Sequence, residues 1–215
     1  MLSVESQGET IRVLTRPAEG SDAIILFGGN ADDVSGYLDS LAPKLPNENL
    51  FLVNYRGYGG STGIPTEEGL FADSIAVYDK VHETFPNISV IGRSLGTGVA
   101  VYLASQRKVD KLILVTPYDS IENVAKKHFA AFPISYLLKD KFDSASRVSK
   151  LSAKTLILVA ENDQTIPREN TDALIQRFPA EQATVRVLPG TTHASITSGS
   201  QWVELLSNFL DTSRQ

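Results

Sequence analysis

Short runs rich in valine, isoleucine and leucine occur at 23–27, 50–54, 88–91, 111–116, 156–160 and 184–188. Longer segments with helical periodicity lie between them. These are 66–85 (Leu70, Ile75, Val77, Tyr78, Val81), 95–106 (Val99, Tyr102, Leu103), 168–178 (Leu174, Ile175, Phe178) and 201–210 (Val203, Leu205, Leu206, Phe209, Leu210). The runs are too short for buried helices, and their branched side chains suit a pleated surface. The middle four are apolar almost throughout, as strands covered on both faces must be, and parallel strands need crossovers long enough to hold a helix. The alternation therefore predicts a doubly wound, mostly parallel α/β sheet, with the short run 11–14 as an edge strand. No Pro/Gly/Ser-rich linker, internal repeat or low-complexity tract divides the chain, so residues 1–215 read as one domain.

The rhythm breaks once. About 40 residues separate the strand ending at Thr116 from the one starting near Leu156, several times what a crossover needs. The segment carries Tyr118, Phe129, Phe132, Tyr136 and Phe142. It reads as a helical insertion, 117–153, acting as a small cap. Tyr118, Phe132 and Tyr136 are then candidate walls of a ligand pocket, and ordinary packing onto the sheet is the competing reading.

Chemistry concentrates after the run 88–91, in Gly92-Arg-Ser-Leu-Gly96 followed by Thr97-Gly98-Val99-Ala100. A strand entering Gly-x-Ser-x-Gly and leaving as a helix is a nucleophile elbow. The turn holds Ser94 in strained backbone geometry at a helix N-terminus, and Gly92 and Gly96 let strand and helix close together. The competing reading is a glycine-rich turn with a capping serine. A phosphate loop fits poorly, since no Gly-Lys-Ser/Thr ending follows and a dinucleotide fingerprint belongs at the first βα turn.

A serine hydroxyl needs a base, and the base an acid to orient it. After an elbow of this kind the acid comes next in the chain and the histidine last. Of the three histidines, His82 precedes the elbow and His128 lies in the insertion. His193 follows the last strand in a glycine-containing loop. The run 156–160 leads into Glu161-Asn-Asp163, which makes Asp163 the expected acid, with Glu161, Asp119 and Asp143 as rivals. The oxyanion donors are expected to be the backbone N–H groups of Leu95 and of Asn30, the latter in Phe27-Gly28-Gly29-Asn30, with Gly29 beside the substrate.

Three stretches together, Asn54-Tyr-Arg-Gly-Tyr-Gly-Gly-Ser-Thr-Gly63, Gly92-Arg-Ser-Leu-Gly-Thr-Gly98 and the Asp163 and His193 segments, resemble the α/β-hydrolase-domain family. That family includes membrane-anchored depalmitoylases, lysophospholipases and many uncharacterised bacterial members. The resemblance covers about residues 20–210 and implies the α/β-hydrolase fold and serine-hydrolase chemistry. Relatives usually carry His-Gly-Asn where this chain has Gly28-Gly29-Asn30, and commonly carry arginine at the positions of Arg56 and Arg93. For both arginines a structural role is favoured over substrate binding.

The expected activity is cleavage of a carboxylic ester or thioester through an acyl-enzyme on Ser94, with no metal or organic cofactor. The alternatives are a non-catalytic binding or regulatory protein of the same fold, and a peptidase or acyltransferase using the same three residues. A net charge of −5 gives no overall pull toward nucleic acid. The absence of cysteine removes a thiolate nucleophile. The N-terminus lacks the pattern of a secretory signal and no apolar run approaches the ~20 residues of a membrane span, so a cytoplasmic location is the expectation.

Overall fold

The computed structural model describes residues 1–211. Eight strands form one sheet: β1 (Leu2–Ser6), β2 (Glu9–Arg16), β3 (Asp22–Phe27), β4 (Asn49–Val53), β5 (Asn87–Arg93), β6 (Lys111–Val115), β7 (Lys154–Ala160) and β8 (Ala183–Leu188). Their order across the sheet is β1-β2-β4-β3-β5-β6-β7-β8. The β1/β2 and β2/β4 pairs are antiparallel and all others parallel. The six apolar runs each fall on a strand, within one or two residues at their ends. The expectation of an edge strand at 11–14 is corrected: β2 is an inner strand, because β1 pairs outside it from Leu2↔Val13 to Ser6↔Glu9.

The helices are α1 (Gly36–Leu41), α2 (Glu67–His82), α3 (Leu95–Gln106), α4 (Ile121–His128), α5 (Ile134–Leu137), α6 (Arg168–Ile175) and α7 (Gln201–Asp211), with 3-10 turns at Ala145–Lys150 and Ser195–Thr197. The period-two alternation of the strands sends side chains to two separate cores. On β3, Ala23, Ile25 and Phe27 join Leu70 and Val77 of α2 and Val99 and Leu103 of α3. Ile24 and Leu26 join Leu41 of α1 and Trp202 and Leu206 of α7 on the other face. Helices on both faces explain why the central strands carry no polar stripe.

α2 begins where the Thr66 side chain accepts a hydrogen bond from the Gly69 N–H at 3.1 Å, with Glu67 and Glu68 in the first turn and Lys80 and His82 in the last. That arrangement caps the helix and complements its dipole at both ends.

The loop after β4 is fastened to α2 by a fork. Arg56 Nε and Nη2 donate to the two carboxylate oxygens of Asp73 at 2.8 and 2.6 Å, and both residues are buried. Arg56 is thus a structural residue, and its pair is a bidentate one that lysine could not form. Asp73→Ala would leave a buried guanidinium without its counter-charge. Unfolding by urea should show a loss of about 3–5 kcal/mol; a loss below about 1 kcal/mol would mean water reaches Arg56.

The chain runs from β3 to β4 on one side, then returns to β5 on the other. The switch in direction lies between β3 and β5, and the crevice beyond their C-terminal ends is where ligands bind in open α/β sheets.

Candidate active site

Ser94 stands at that switch, one residue past β5. Its backbone has φ 51° and ψ −118°, a conformation that costs an L-residue energy and persists only when the surroundings enforce it. The enforcement is visible. The Ser94 N–H donates to the Val115 carbonyl at 2.9 Å. Gly96 lies so close to β3 that a Cβ there would overlap the carbonyl oxygens of Phe27 and Gly28. Ser94 occupies the N-cap position of α3 yet makes no capping hydrogen bond, so its hydroxyl is free for other work and the capping reading does not hold.

Its Oγ lies 2.9 Å from His193 Nε2, and His193 Nδ1 lies 2.8 Å from Asp163 Oδ2. His193 comes from the loop between β8 and the 3-10 turn Ser195–Thr197, and Asp163 from the loop after β7. Residues 94, 163 and 193 are each part-buried, reachable from solvent but not flooded by it. Asp163 Oδ1 also accepts the N–H groups of Thr165 and Ile166, each at 2.9 Å. Burial pushes the Asp163 carboxyl up, but the bonds from His193, Ile166 and Thr165 outweigh it and hold the group below the usual carboxylate value. An ionised Asp163 fixes the proton of His193 on Nδ1 and leaves Nε2 as the lone pair facing the serine. The rivals go elsewhere. Glu161 accepts the Gly190 N–H, Asp119 binds Asn123 and Asn170, and Asp143 accepts the Ser146 N–H.

Among the described residues, the N–H groups of Leu95 and Asn30 donate to no protein acceptor. Leu95 opens α3, where free N–H groups and the helix dipole favour an anion. Asn30 precedes Ala31, whose φ of 59° marks the tight turn after β3. That turn is closed by Asp32, which is not among the candidate residues above. Its Oδ2 accepts the Gly29 N–H at 2.6 Å and its own N–H reaches the Gly29 carbonyl at 3.3 Å. A polar residue three positions after a glycine turn was the available signal.

Four pocket expectations meet different surroundings. Gly29 spends its N–H on Asp32, and a Cβ there would overlap the Arg93 guanidinium, so it serves packing of the turn. Tyr118 is fully buried and donates to the Leu95 carbonyl at 3.1 Å, which makes it a support beneath the start of α3 rather than a wall. Phe132 and Tyr136 are 61 % and 92 % exposed, pointing into solvent instead of a cavity. The insertion itself is α4, α5 and a 3-10 turn. It is tied to α2 through Glu67 N–H to Asp140 at 2.8 Å and to the Asp163 loop through His128 Nε2 and the Thr165 carbonyl at 2.9 Å. Phe132→Ala and Tyr136→Ala are therefore expected to leave the ester chain-length profile unchanged within about twofold, measured on p-nitrophenyl esters; a shift in the preferred length would show that α5 closes over substrate.

Among the described residues no helix is long and apolar enough to cross a membrane. Comparisons of the sequence and of the fold find similar proteins. An uncharacterized protein of Mycobacterium tuberculosis (strain H37Rv) is 33% identical over 196 residues, covering 87% of this chain and 69% of that protein. The alpha/beta hydrolase domain-containing protein aho-3 of Caenorhabditis elegans is 31% identical over 206 residues, covering 92% of this chain and 60% of that protein. In shape, the chain is similar to the Pyrococcus furiosus esterase Pf2001, with a TM-score of 0.82 at 16% identity over 98% of this chain and 91% of that one. It is also similar to Est1E of Butyrivibrio proteoclasticus, solved with ferulic acid, with a TM-score of 0.80 at 15% identity over 98% of both chains. A family model described as the alpha/beta hydrolase fold matches residues 22–147, from the first parallel strand through the elbow and into the insertion, and the chain belongs to that family.

Proposed function

We propose that this chain is a serine hydrolase that cleaves a carboxylic ester or thioester through an acyl-enzyme on Ser94. The observation that carries the reading is the unbroken chain of contacts Ser94 Oγ–His193 Nε2, 2.9 Å, and His193 Nδ1–Asp163 Oδ2, 2.8 Å, beside two N–H groups with no protein acceptor.

His193 takes the Ser94 proton as Oγ adds to the carbonyl carbon. The tetrahedral oxyanion is received by the N–H groups of Leu95 and Asn30, where each donor is worth about 3 kcal/mol of barrier. The proton on Nε2 then passes to the leaving alcohol or thiol. Water enters the same position and adds to the acyl carbon as His193 removes its proton; the bond from that carbon to Ser94 Oγ then breaks, Oγ takes the proton back from Nε2, and the acyl group departs as the acid. Asp163 stays ionised throughout and stabilises the imidazolium.

The test is labelling with a fluorophosphonate, then turnover of p-nitrophenyl esters and the matching thioesters. Labelling at Ser94 and saturable hydrolysis are expected. A well-folded protein that neither labels nor turns over any of them would overturn the reading. His193→Ala should remove turnover, and activity of the intact enzyme should fall as the medium is acidified, because a protonated imidazole cannot accept the serine proton. Flat kcat/KM across the acid range would point to a different base.

A further inference from the structure

Two loops that this chemistry must hold in register meet on one guanidinium. Arg93 is the last residue of β5, directly before Ser94. Its Nη2 donates to the backbone carbonyl of His193 at 2.9 Å, and its Nη1 to Asp32 Oδ1 at 3.2 Å. The other oxygen of Asp32 accepts the Gly29 N–H at 2.6 Å and the Tyr37 hydroxyl at 2.5 Å. Burial and the neighbouring Asp32 carboxylate push the Tyr37 phenol up, so it remains a donor. Every hydrogen-bonding atom of this cluster thus acts on the turn that presents Asn30 or on the loop that presents His193.

Among the described residues, the buried Arg93 Nε meets no protein acceptor. A buried guanidinium with an unmet N–H costs stability. This one is held where its two terminal nitrogens reach acceptors on different loops, a task for which its planar fork is suited and a lysine is not.

We infer that Arg93 and Asp32 form a positioning pair that fixes the oxyanion turn and the His193 loop relative to Ser94. The inference rests on the serine-hydrolase reading of Ser94, and neither residue touches the reacting atoms. Arg93→Ala cuts both ties. Asp32→Asn keeps an oxygen for Gly29 and Tyr37 but turns an amide N–H toward Arg93, cutting only the link between them.

The experiment is steady-state hydrolysis of p-nitrophenyl butyrate by the whole chain, with melting temperature as the fold control. Each variant should lose about 10- to 100-fold in kcat with KM within about twofold of the parent, since misplaced donors affect the transition state more than the ground state. Arg93→Lys, which keeps the charge but meets one acceptor, should recover only part. The Asp32→Asn/Arg93→Ala double variant should lose no more than Arg93→Ala alone, because the two substitutions cut the same link. Folded variants with parental kcat, a loss confined to KM, or effects that multiply would overturn the pair. A second readout needs no turnover. Amide hydrogen exchange at 28–33 and 191–195 should speed up about tenfold or more in Arg93→Ala, and unchanged protection there overturns the pair whatever Ser94 does. Turnover retained by Ser94→Ala would instead sink the hydrolase reading and leave the exchange result standing.

Discussion

Ser94→Ala is expected to lower kcat by roughly five to six orders of magnitude while the protein stays folded. The size follows from how nucleophile and base act together: without Oγ there is no acyl-enzyme, and His193 has nothing to activate but water held in an imperfect place. What remains is the contribution of the oxyanion donors and substrate binding, roughly 10³ over solution. Retained folding follows from the local contacts. The Ser94 hydroxyl caps no helix. The strained turn is held by the Ser94 N–H to Val115 and by the close approach of Gly96 to β3, and neither involves the side chain. Alanine bears the same positive φ with a Cβ of the same kind, so little new strain arises. The measurement is burst-phase and steady-state hydrolysis by protein purified away from host esterases, with melting temperature alongside. A loss of only tenfold in a folded variant would move the nucleophile elsewhere.

The sheet was legible because its central strands bury both faces, which leaves a signal of continuous valine, isoleucine and leucine that needs no partner to interpret. β1 was not, because Leu2–Ser6 is half polar and buries only Val4 and Ser6. The sign of it was the turn rather than the strand. Gln7 and Gly8 have φ of 52° and 82°, a two-residue hairpin of the sort a polar residue followed by glycine favours. α1 escaped because six residues starting at a glycine give too little periodicity. At the site, chain order and the loops that follow the last two strands together picked out Ser94, Asp163 and His193, since the elbow restricts which loops can reach it. The directions of the insertion's aromatics were not legible for a different reason. Aromatic content says that a segment has apolar surface, not which way that surface faces. Tyr118 turned inward under α3 and Tyr136 outward. The Arg93–Asp32 link joins residues 61 apart in the chain, and no periodicity reports a contact of that kind.

Asp163→Asn should cost about 10⁴-fold in kcat with the fold and the substrate affinity nearly intact. Asparagine matches aspartate in shape, and its amide oxygen can go on accepting the Thr165 and Ile166 N–H groups that now meet Oδ1 at 2.9 Å each. Its NH₂ then faces His193 Nδ1. To accept that bond the imidazole must place its proton on Nε2, the nitrogen 2.9 Å from Ser94 Oγ, and the lone pair that should receive the serine proton is gone. The variant also removes the charge that stabilises the imidazolium. The parent's pH behaviour follows from the same contacts. The Asp163 carboxyl lies below its ordinary value in the folded protein, so the unfolded chain takes up its proton first as pH falls. The stability this group contributes is present above the ordinary carboxylate value and is lost as pH drops through the lowered one. Asp163 therefore stays ionised through the mildly acidic range. In Asp163→Asn the low activity should rise again at high pH, where hydroxide can stand in for the missing base, and chemical unfolding at neutral pH should change by only about 1–2 kcal/mol. A variant that kept a tenth or more of parental kcat would show that Asp163 does not orient His193.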